Sequence, residues 1–484
     1  MITADILLIY PPYTYPKKSP PIGLGYIAAV LEKDGYSVKI IDMSALDMGY
    51  EDLERQVRKA EPKLAGISFM TNQYNEAVNA ARIVKDIDKH ITVIAGGPHV
   101  SAIPKEILTT NFVDVVVVGE GERTISELAN ILSNGKTHEL GAVDGIAYKK
   151  QGQIYVNKPR ELIEDLDFIP LPAWHLLPVD RYSVPATGGD AAERVFAVIS
   201  SRGCPNNCVF CDSHTIFGRK FRARSARNIF DELLYLNKNF GATQFDFVDD
   251  TITVNKNRIL ELCNLILSNN CRFKWMCNAR VNTVEPEMLK VMKNAGCVRV
   301  EFGVESGDPQ VLKKIKKAIT IEQIKNAHAM ARQAELSIGS FVMVGNLGED
   351  FSSVIKTKEL LEQIDTDDVF VAIATPFPGT ELYRIAKDNN WITTNDWSEF
   401  VTSPTYTSEY KPVMETDKMN TEEILKSFFY LHSHFVVKKF QTRYGKNFFF
   451  KKRFYRDILH IRSYKELKHK SQLAIKLISR SFQR

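Results

Sequence analysis

The 484-residue chain lacks any apolar run approaching the roughly 20 residues needed to span a bilayer, so nothing in it reads as a transmembrane helix. Its opening residues, MITADILLIYPPY, carry only four to five apolar residues between Asp5 and Pro11, too few and wrongly flanked for a secretion signal. A cytoplasmic location is expected. Cysteine is scarce and odd in number, with seven in the whole chain. Without a secretion signal, that argues against a disulfide framework and for metal or thiol chemistry. Strong compositional bias is missing too, since 44% hydrophobic and 25% charged residues are ordinary for a globular protein. The length favours two or three domains over a single core.

Charge is unevenly spread. The net +5 conceals a segment, residues 438–484, with fifteen Lys/Arg against Asp457 and Glu466, a local balance of +13 that leaves about −8 for the rest. Aromatics interleave with this charge, as in Phe448-Phe449-Phe450-Lys451-Lys452-Arg453-Phe454-Tyr455-Arg456. Such a surface suits anionic lipid or an acidic partner. Nucleic acid is the competing reading, and a helical cap whose aromatics pack on the protein is the plain one. The expectation is a peripheral membrane contact and no nucleic acid.

Residues 5–136 alternate short β-branched runs (6–10, 37–41, 64–68, 92–95 and 114–118) with helix-like stretches such as 24–33, 76–86 and 122–132. This is the pattern of a parallel sheet with helices on both faces, a doubly wound, Rossmann-like domain. Ligands of such sheets sit beyond the carboxyl ends of the strands. Those ends are 11–25, Asp42, 69–72, Gly96-Gly97-Pro98-His99 and Gly119-Glu120-Gly121-Glu122. Glycine, or proline with small polar residues, at four of the five lets backbone approach a large flat or anionic ligand. Tight turns are the alternative for any one of them. Residues 141–192 read as a connector with a strand pair at 142–148 and 153–156, followed by a proline-rich apolar segment, 167–174, that is extended and packed.

A second α/β repeat follows, with strands near 195–200, 245–248, 274–278, 298–304, 337–344 and 369–374 and helices between them. Six strands with five crossovers fit an open or partial barrel, with the active site at the strand C-termini. Directly after the first of these strands comes Cys204-Pro205-Asn206-Asn207-Cys208-Val209-Phe210-Cys211. Thiolates suit iron–sulfur clusters and zinc, and three cysteines leave one iron of a cubane open. A zinc site completed by His214, or buried structural cysteines, are the alternatives. Cys263, Cys271, Cys277 and Cys297 are scattered without CxxC pairing and read as buried small hydrophobes.

This CxxxCxxC segment after a strand resembles the radical S-adenosylmethionine superfamily over roughly residues 193–400. Further elements recur in order: 245–250, Gly303-Val304-Glu305-Ser306-Gly307, Gly345-Asn346-Leu347-Gly348-Glu349 and Pro376-Phe377-Pro378-Gly379-Thr380. The resemblance implies that Cys204, Cys208 and Cys211 ligate a [4Fe–4S] cluster whose open iron chelates S-adenosylmethionine. It brings Phe210, Asp249, Arg280, Glu305, Ser306, Gly345 and Glu349 towards that ligand. A doubly wound domain ahead of the core resembles the cobalamin-binding branch, methyltransferases and anaerobic oxidative cyclases. Thr71, Asn72, Gly96, Gly97, His99, Gly119, Glu120 and Gly121 then become corrin-facing residues. One departure is the absence of a DxHxxG element, and the 11–23 loop holds no histidine. His99 is the nearest substitute as a cobalt ligand.

The expected organisation is a cobalamin-binding domain (1–140), a connector (141–192), a partial (β/α)6 radical core (193–400) and a helical basic region (401–484). The expected activity is methylation of an unactivated carbon through a 5′-deoxyadenosyl radical and methylcobalamin. Oxidative cyclisation or carbon–carbon bond formation is the alternative, and a non-catalytic cobalamin- or lipid-surface-binding protein is the alternative of another class. The substrate is expected to be a small, hydrophobic or lipid-like molecule, and the electron donor an external flavodoxin or ferredoxin.

Overall fold

The computed structural model describes residues 4–13, 19–182, 195–403 and 410–445. Five parallel strands build the first sheet: β1 (Ile6–Tyr10), β2 (Val38–Asp42), β3 (Leu64–Ser68), β4 (Thr92–Gly96) and β5 (Val115–Val117). Their order is β2-β1-β3-β4-β5, so the chain reverses direction across the sheet between β1 and β3. Alternate side chains of β1 enter different cores. Leu7 and Ile9 pack with Leu53, Ala77 and Val84 from helices Tyr50–Ala60 and Tyr74–Ile87. Ile6 and Leu8 pack with Leu24, Leu31 and Leu128 from helices Ile22–Lys33 and Glu122–Ser133. Burial on both faces is why these strands are short apolar runs with no polar alternation.

The strand pair expected in the connector does not stand apart. β6 (Ile146–Lys150) pairs antiparallel with β5, and β7 (Gln153–Val156) pairs antiparallel with β6, extending the first sheet to seven strands. The apolar face of β6 decides this, since Ile146 and Ala147 are fully buried and require a sheet to lie against. The proline-rich segment then turns back on the first domain. The amide of Ala173 donates to the Gly25 carbonyl at 3.0 Å, and Trp174 is 1% exposed with its ring 5.4 Å from that of Phe196.

The second sheet begins with β8 (Val195–Val198). A short antiparallel pair, β9 (Ser201–Arg202) and β10 (Arg222–Ala223), follows and brackets the cysteine loop. The remaining strands are β11 (Gln244–Phe247), β12 (Lys274–Ala279), β13 (Cys297–Glu305), β14 (Ser337–Val344) and β15 (Asp368–Ile373). The six strands β8, β11, β12, β13, β14 and β15 are all parallel and lie in sequence order, the signature of successive right-handed crossovers. Helix Thr421–Tyr444, opened by a reciprocal Asn420/Glu423 capping box, packs along β15 and helix Phe351–Gln363. The core of the second sheet is continuous with the Ile6/Leu8 face of the first.

Four of the seven cysteines lie outside the CxxxCxxC loop. Three of these, Cys263, Cys277 and Cys297, are fully buried in the second core, and Cys277 and Cys297 are hydrogen-bonding partners. Of the basic tail, residues from 446 onward lie outside the described residues. No described helix is long and apolar enough to cross a membrane.

Trp174, Arg224 and Glu232 tie the connector to the barrel. The Arg224 guanidinium forms a buried ion pair with Glu232 and donates to the Ile199 carbonyl at 3.0 Å, while Trp174 Nε1 reaches Glu232 at 3.4 Å. Glu232→Ala leaves Arg224 as an uncompensated buried charge. The expected loss is about 3–5 kcal/mol of stability, read as a fall in the urea midpoint by tryptophan fluorescence.

Candidate functional site

The cysteine loop is held from three directions. Upstream, Gly203 adopts φ +81° with its α-carbon so close to the opposing chain that a Cβ would stand 2.3 Å from the Lys220 carbonyl, which only glycine permits. In the middle, the Val209 amide donates to the Ile315 carbonyl at 3.1 Å, and its carbonyl accepts from Leu382 at 2.8 Å. Downstream, a helical turn, His214–Phe217, lies against helix Pro98–Ala102 of the first domain. Cys208 is buried, Cys204 and Cys211 are partly exposed, and Phe210 packs against the barrel core.

The sulfurs have polar neighbours suited to an anionic centre. Asn206 Nδ2 lies 3.2 Å from Cys204 Sγ, and Arg280 Nη1 lies 3.8 Å from Cys208 Sγ. Burial pushes the Cys211 thiol up to about 12, with Asp250 and Asp212 adding to the rise, so without iron it keeps its proton. Among the described residues, no three His, Cys, Asp or Glu side chains gather closely enough to hold a single ion. A cubane distributes its thiolates over different irons, and this donor set fits it.

Next to Cys208 sits a trio of charged side chains. Arg280 Nη2 donates to the Lys317 carbonyl at 2.5 Å, and Lys317 Nζ pairs with Glu305 Oε1 at 2.6 Å. Arg280, Lys317 and Glu305 are each less than 9% exposed. Three non-glycine residues here take the left-handed conformation: Glu305 at φ +64°, and Lys316 and Ala318, flanking Lys317, at +54° each. The strand register between β13 and β14 also slips at Gly303/Glu305. Gly303 gives the ion pair its room, because a Cβ there would stand 2.5 Å from Lys317 Nζ and 2.7 Å from Glu305 Oε1. Backbone strain of this kind costs of order 1–3 kcal/mol per residue and concentrates at functional sites. Lys317 hides in the sequence because Lys313, Lys314 and Lys316 beside it make the segment look like a solvated face.

Other expected residues have structural partners. The Asp249 carboxylate accepts from the Ser200 amide at 3.1 Å, the Ser200 hydroxyl at 2.9 Å and the Ser201 hydroxyl, fixing the exit of β8. Burial raises its pKa, opposed by Arg258 and these donors. Glu349 Oε2 accepts from the amides of Gly345 at 2.6 Å and Asn346 at 3.2 Å, closing the loop after β14, and burial pushes its carboxyl up to about 8. The Ser306 hydroxyl accepts from the Asp308 amide at 3.1 Å.

At the first sheet's carboxyl edge, Thr71 and Asn72 begin a helical turn after β3. Gln73, which the sequence reading passed over, joins this turn to the loop after β1 by donating to the Pro11 carbonyl at 3.0 Å. Gly96 leaves open space where a Cβ would lie, whereas Gly97 packs on the Phe69 backbone. Gly119 approaches the Ile216 carbonyl and Gly121 the Ile27 side chain, so this edge faces the segment just after Cys211. His99 is 1% exposed, its ring enclosed by Phe69, Tyr74 and Trp397 at centroid distances of 5.8, 5.0 and 5.1 Å. Neither ring nitrogen has a hydrogen-bond partner among the described residues, and burial pulls its pKa down to about 4. The imidazole is thus neutral, surrounded by these rings with the Glu106 carboxylate 3.9 Å from its Nε2. Glu120 is engaged by Arg202 and Arg222, two residues absent from the sequence-based site.

Two family models match: Radical SAM superfamily over residues 198–361 and B12 binding domain over residues 14–129. The chain is 34% identical over 475 residues to an uncharacterized methyltransferase of Pyrococcus horikoshii, covering 95% of this chain and 99% of that one. It is 26% identical to the anaerobic magnesium-protoporphyrin IX monomethyl ester cyclase of Rubrivivax gelatinosus, covering 88% and 75% of the two chains. The solved structure of OxsB, a cobalamin-dependent S-adenosylmethionine radical enzyme with aqua-cobalamin and S-adenosylmethionine bound, shares the fold. Its TM-score is 0.69 at 16% identity, over 99% of this chain and 80% of that one. Cysteine loop, strained charged trio and glycine-rich sheet edge thus occur within one chain that belongs to the cobalamin-binding branch of the radical S-adenosylmethionine superfamily, whose cofactors are a [4Fe–4S] cluster, S-adenosylmethionine and cobalamin.

Proposed function

We propose that this enzyme methylates an unactivated carbon of a small, hydrophobic molecule held between the cysteine loop and the carboxyl edge of the first sheet. The observation that carries the reading is the direct packing of that edge against the segment following Cys211, which leaves the two cofactor regions facing each other. Both relatives described above span most of their length with this chain, and one bears the name methyltransferase.

When bound, the cluster with S-adenosylmethionine supplies a 5′-deoxyadenosyl radical, and cobalamin supplies a transferable methyl group. The protein's part is to hold and to orient. Cys204, Cys208 and Cys211 hold the cluster. Arg280 places a fixed positive charge beside Cys208 and, through the Lys317 carbonyl, fixes the segment on which the Lys317 ammonium stands. Glu305, held rigid by Lys317, offers its second carboxylate oxygen to a polar group of S-adenosylmethionine at the strand end. Phe210, Asp249, Ser306, Gly345 and Glu349 shape the surrounding loops. Thr71, Asn72, Gly96, Gly97, Gly119, Glu120 and Gly121 line or brace the corrin edge, with His99 behind it as a neutral packing group. The low-potential electron comes from an external flavodoxin or ferredoxin, and the basic tail makes peripheral contact with membrane lipid in the cytoplasm.

Anaerobic reconstitution is expected to yield about four irons and one corrinoid per chain. Cys208→Ala is expected to abolish 5′-deoxyadenosine formation under dithionite, and persistence of that product would refute the cluster assignment. With methyl-deuterated S-adenosylmethionine and a lipid and small-molecule extract, label is expected in a carbon-bound methyl group of a product, detected by mass spectrometry. Deoxyadenosine formed without any labelled product would favour the cyclase chemistry instead. Lys317→Met strips Glu305 of its buried cation. It is expected to lower the rate of deoxyadenosine formation roughly 10–100-fold at unchanged iron content, as loss of a ligand-orienting partner does.

A further inference from the structure

The loop carrying Gly119 to Glu122 and the two strands bracketing the cysteine loop meet in a network of buried charge, in which Glu122 Oε2 and Arg222 Nε are the atoms without a hydrogen-bond partner among the described residues. Arg202 and Arg222 stand directly opposite each other across β9 and β10, an unfavourable pairing of like charges on its own. Their side chains are 5% and 2% exposed. Glu120, from the other domain, bridges them: its Oε1 accepts from Arg202 Nη1 at 3.0 Å and from Arg222 Nη1 at 2.9 Å. Glu122 accepts from Arg202 Nη2 at 2.5 Å. The second Glu120 oxygen takes the Ile163 amide at 2.8 Å, and Arg222 also donates to the carbonyls of Ile163 and Phe217. Tyr26 and Phe217 each place a ring 5.4 Å from the Arg202 guanidinium. Burial works against the Arg202 charge, yet Glu122 and Glu120 together outweigh it and raise its pKa.

Neither domain can satisfy its half alone. Two carboxylates and two guanidiniums balance only when the domains are docked, and a planar guanidinium fixes angle as well as distance. There is also no slack between this anchor and the first thiolate. Arg202 is separated from Cys204 by Gly203 alone, itself locked against the Lys220 carbonyl.

We infer that Glu120, Glu122, Arg202 and Arg222 are positioning residues that set the separation between the cluster loop and the corrin-facing edge of the first sheet. This rests on the two-cofactor reading above. The separation matters because a substrate carbon must lie within reach of both cofactors, and a misplacement of about 1 Å can cost on the order of 100-fold in rate.

The test uses the full-length holoenzyme, reconstituted anaerobically with iron, sulfide and hydroxocobalamin and reduced so that both cluster and cob(II)alamin are paramagnetic. Dipolar and relaxation-enhancement EPR then reads the distance between them. The wild type is expected to give one narrow distribution. Arg222→Met and Glu122→Gln are expected to shift or broaden it at unchanged iron and corrinoid content, and Arg222→Lys to restore part of the narrowing. Fully loaded variants with the wild-type distribution would overturn the inference, as would folded variants that lose corrinoid, since the network would then build the site itself. Glu120→Gln removes the central bridge, so if it does not fold, the other two variants carry the test. A wild type that binds iron but no corrinoid overturns the two-cofactor reading instead, and is seen before any variant is made.

Discussion

Two arginines facing each other in a buried seam are the constraint on which the rest of this structure depends. Arg202 and Arg222 cannot be buried across a strand pair unless anions meet them, and those anions are Glu120 and Glu122 of the first domain. Removing the bridging member of such a buried group costs about 3–5 kcal/mol, because buried charge is left uncompensated. The network adds little net stability over a well-packed apolar seam. What it adds is direction, since hydrogen-bonded ion pairs tolerate less sliding than an apolar contact.

A second organising feature lies on the other side of the cysteine loop. Arg280, Lys317 and Glu305 link the end of β12, the end of β13 and the loop after helix Pro309–Lys314, and the chain accepts left-handed backbone at Glu305, Lys316 and Ala318 to bring them together. The loop between β9 and β10 thus sits between two charged clusters, one facing the first domain and one within its own barrel. Asp249 completes the arrangement by holding Ser200 and Ser201, the residues that lead into Arg202. Side chains near the cysteines divide into those with a free polar edge and those whose polar atoms are used within the protein.

Local pattern explains what the sequence made legible. The strands of both sheets could be read because each is a short apolar run bounded by turn residues, and CxxxCxxC because its three members lie within eight residues. Glu120 bonds Arg202 and Arg222 at sequence separations of 82 and 102 residues, and no window of sequence contains that pairing. Lys317 is masked by its lysine neighbours, and β6, legible as a strand, does not announce its place in the first sheet because an antiparallel addition to a parallel sheet leaves no crossover helix. Glu120, Asp249 and Glu349 stand at strand ends where ligand residues also stand, so residue type and position could not separate a ligand-facing carboxylate from one that braces a loop.

The strand order carries a consequence for how the molecule is made. In the second sheet each strand pairs with the one synthesised before it, apart from the inserted β9–β10 pair, so the barrel can zip up as it leaves the ribosome. The first sheet emerges earlier, and Glu120 and Glu122 wait at its edge before Arg202 and Arg222 exist as chain. The anions that Arg202 and Arg222 require are therefore made first, and the seam has its acidic half in place before its basic half is synthesised.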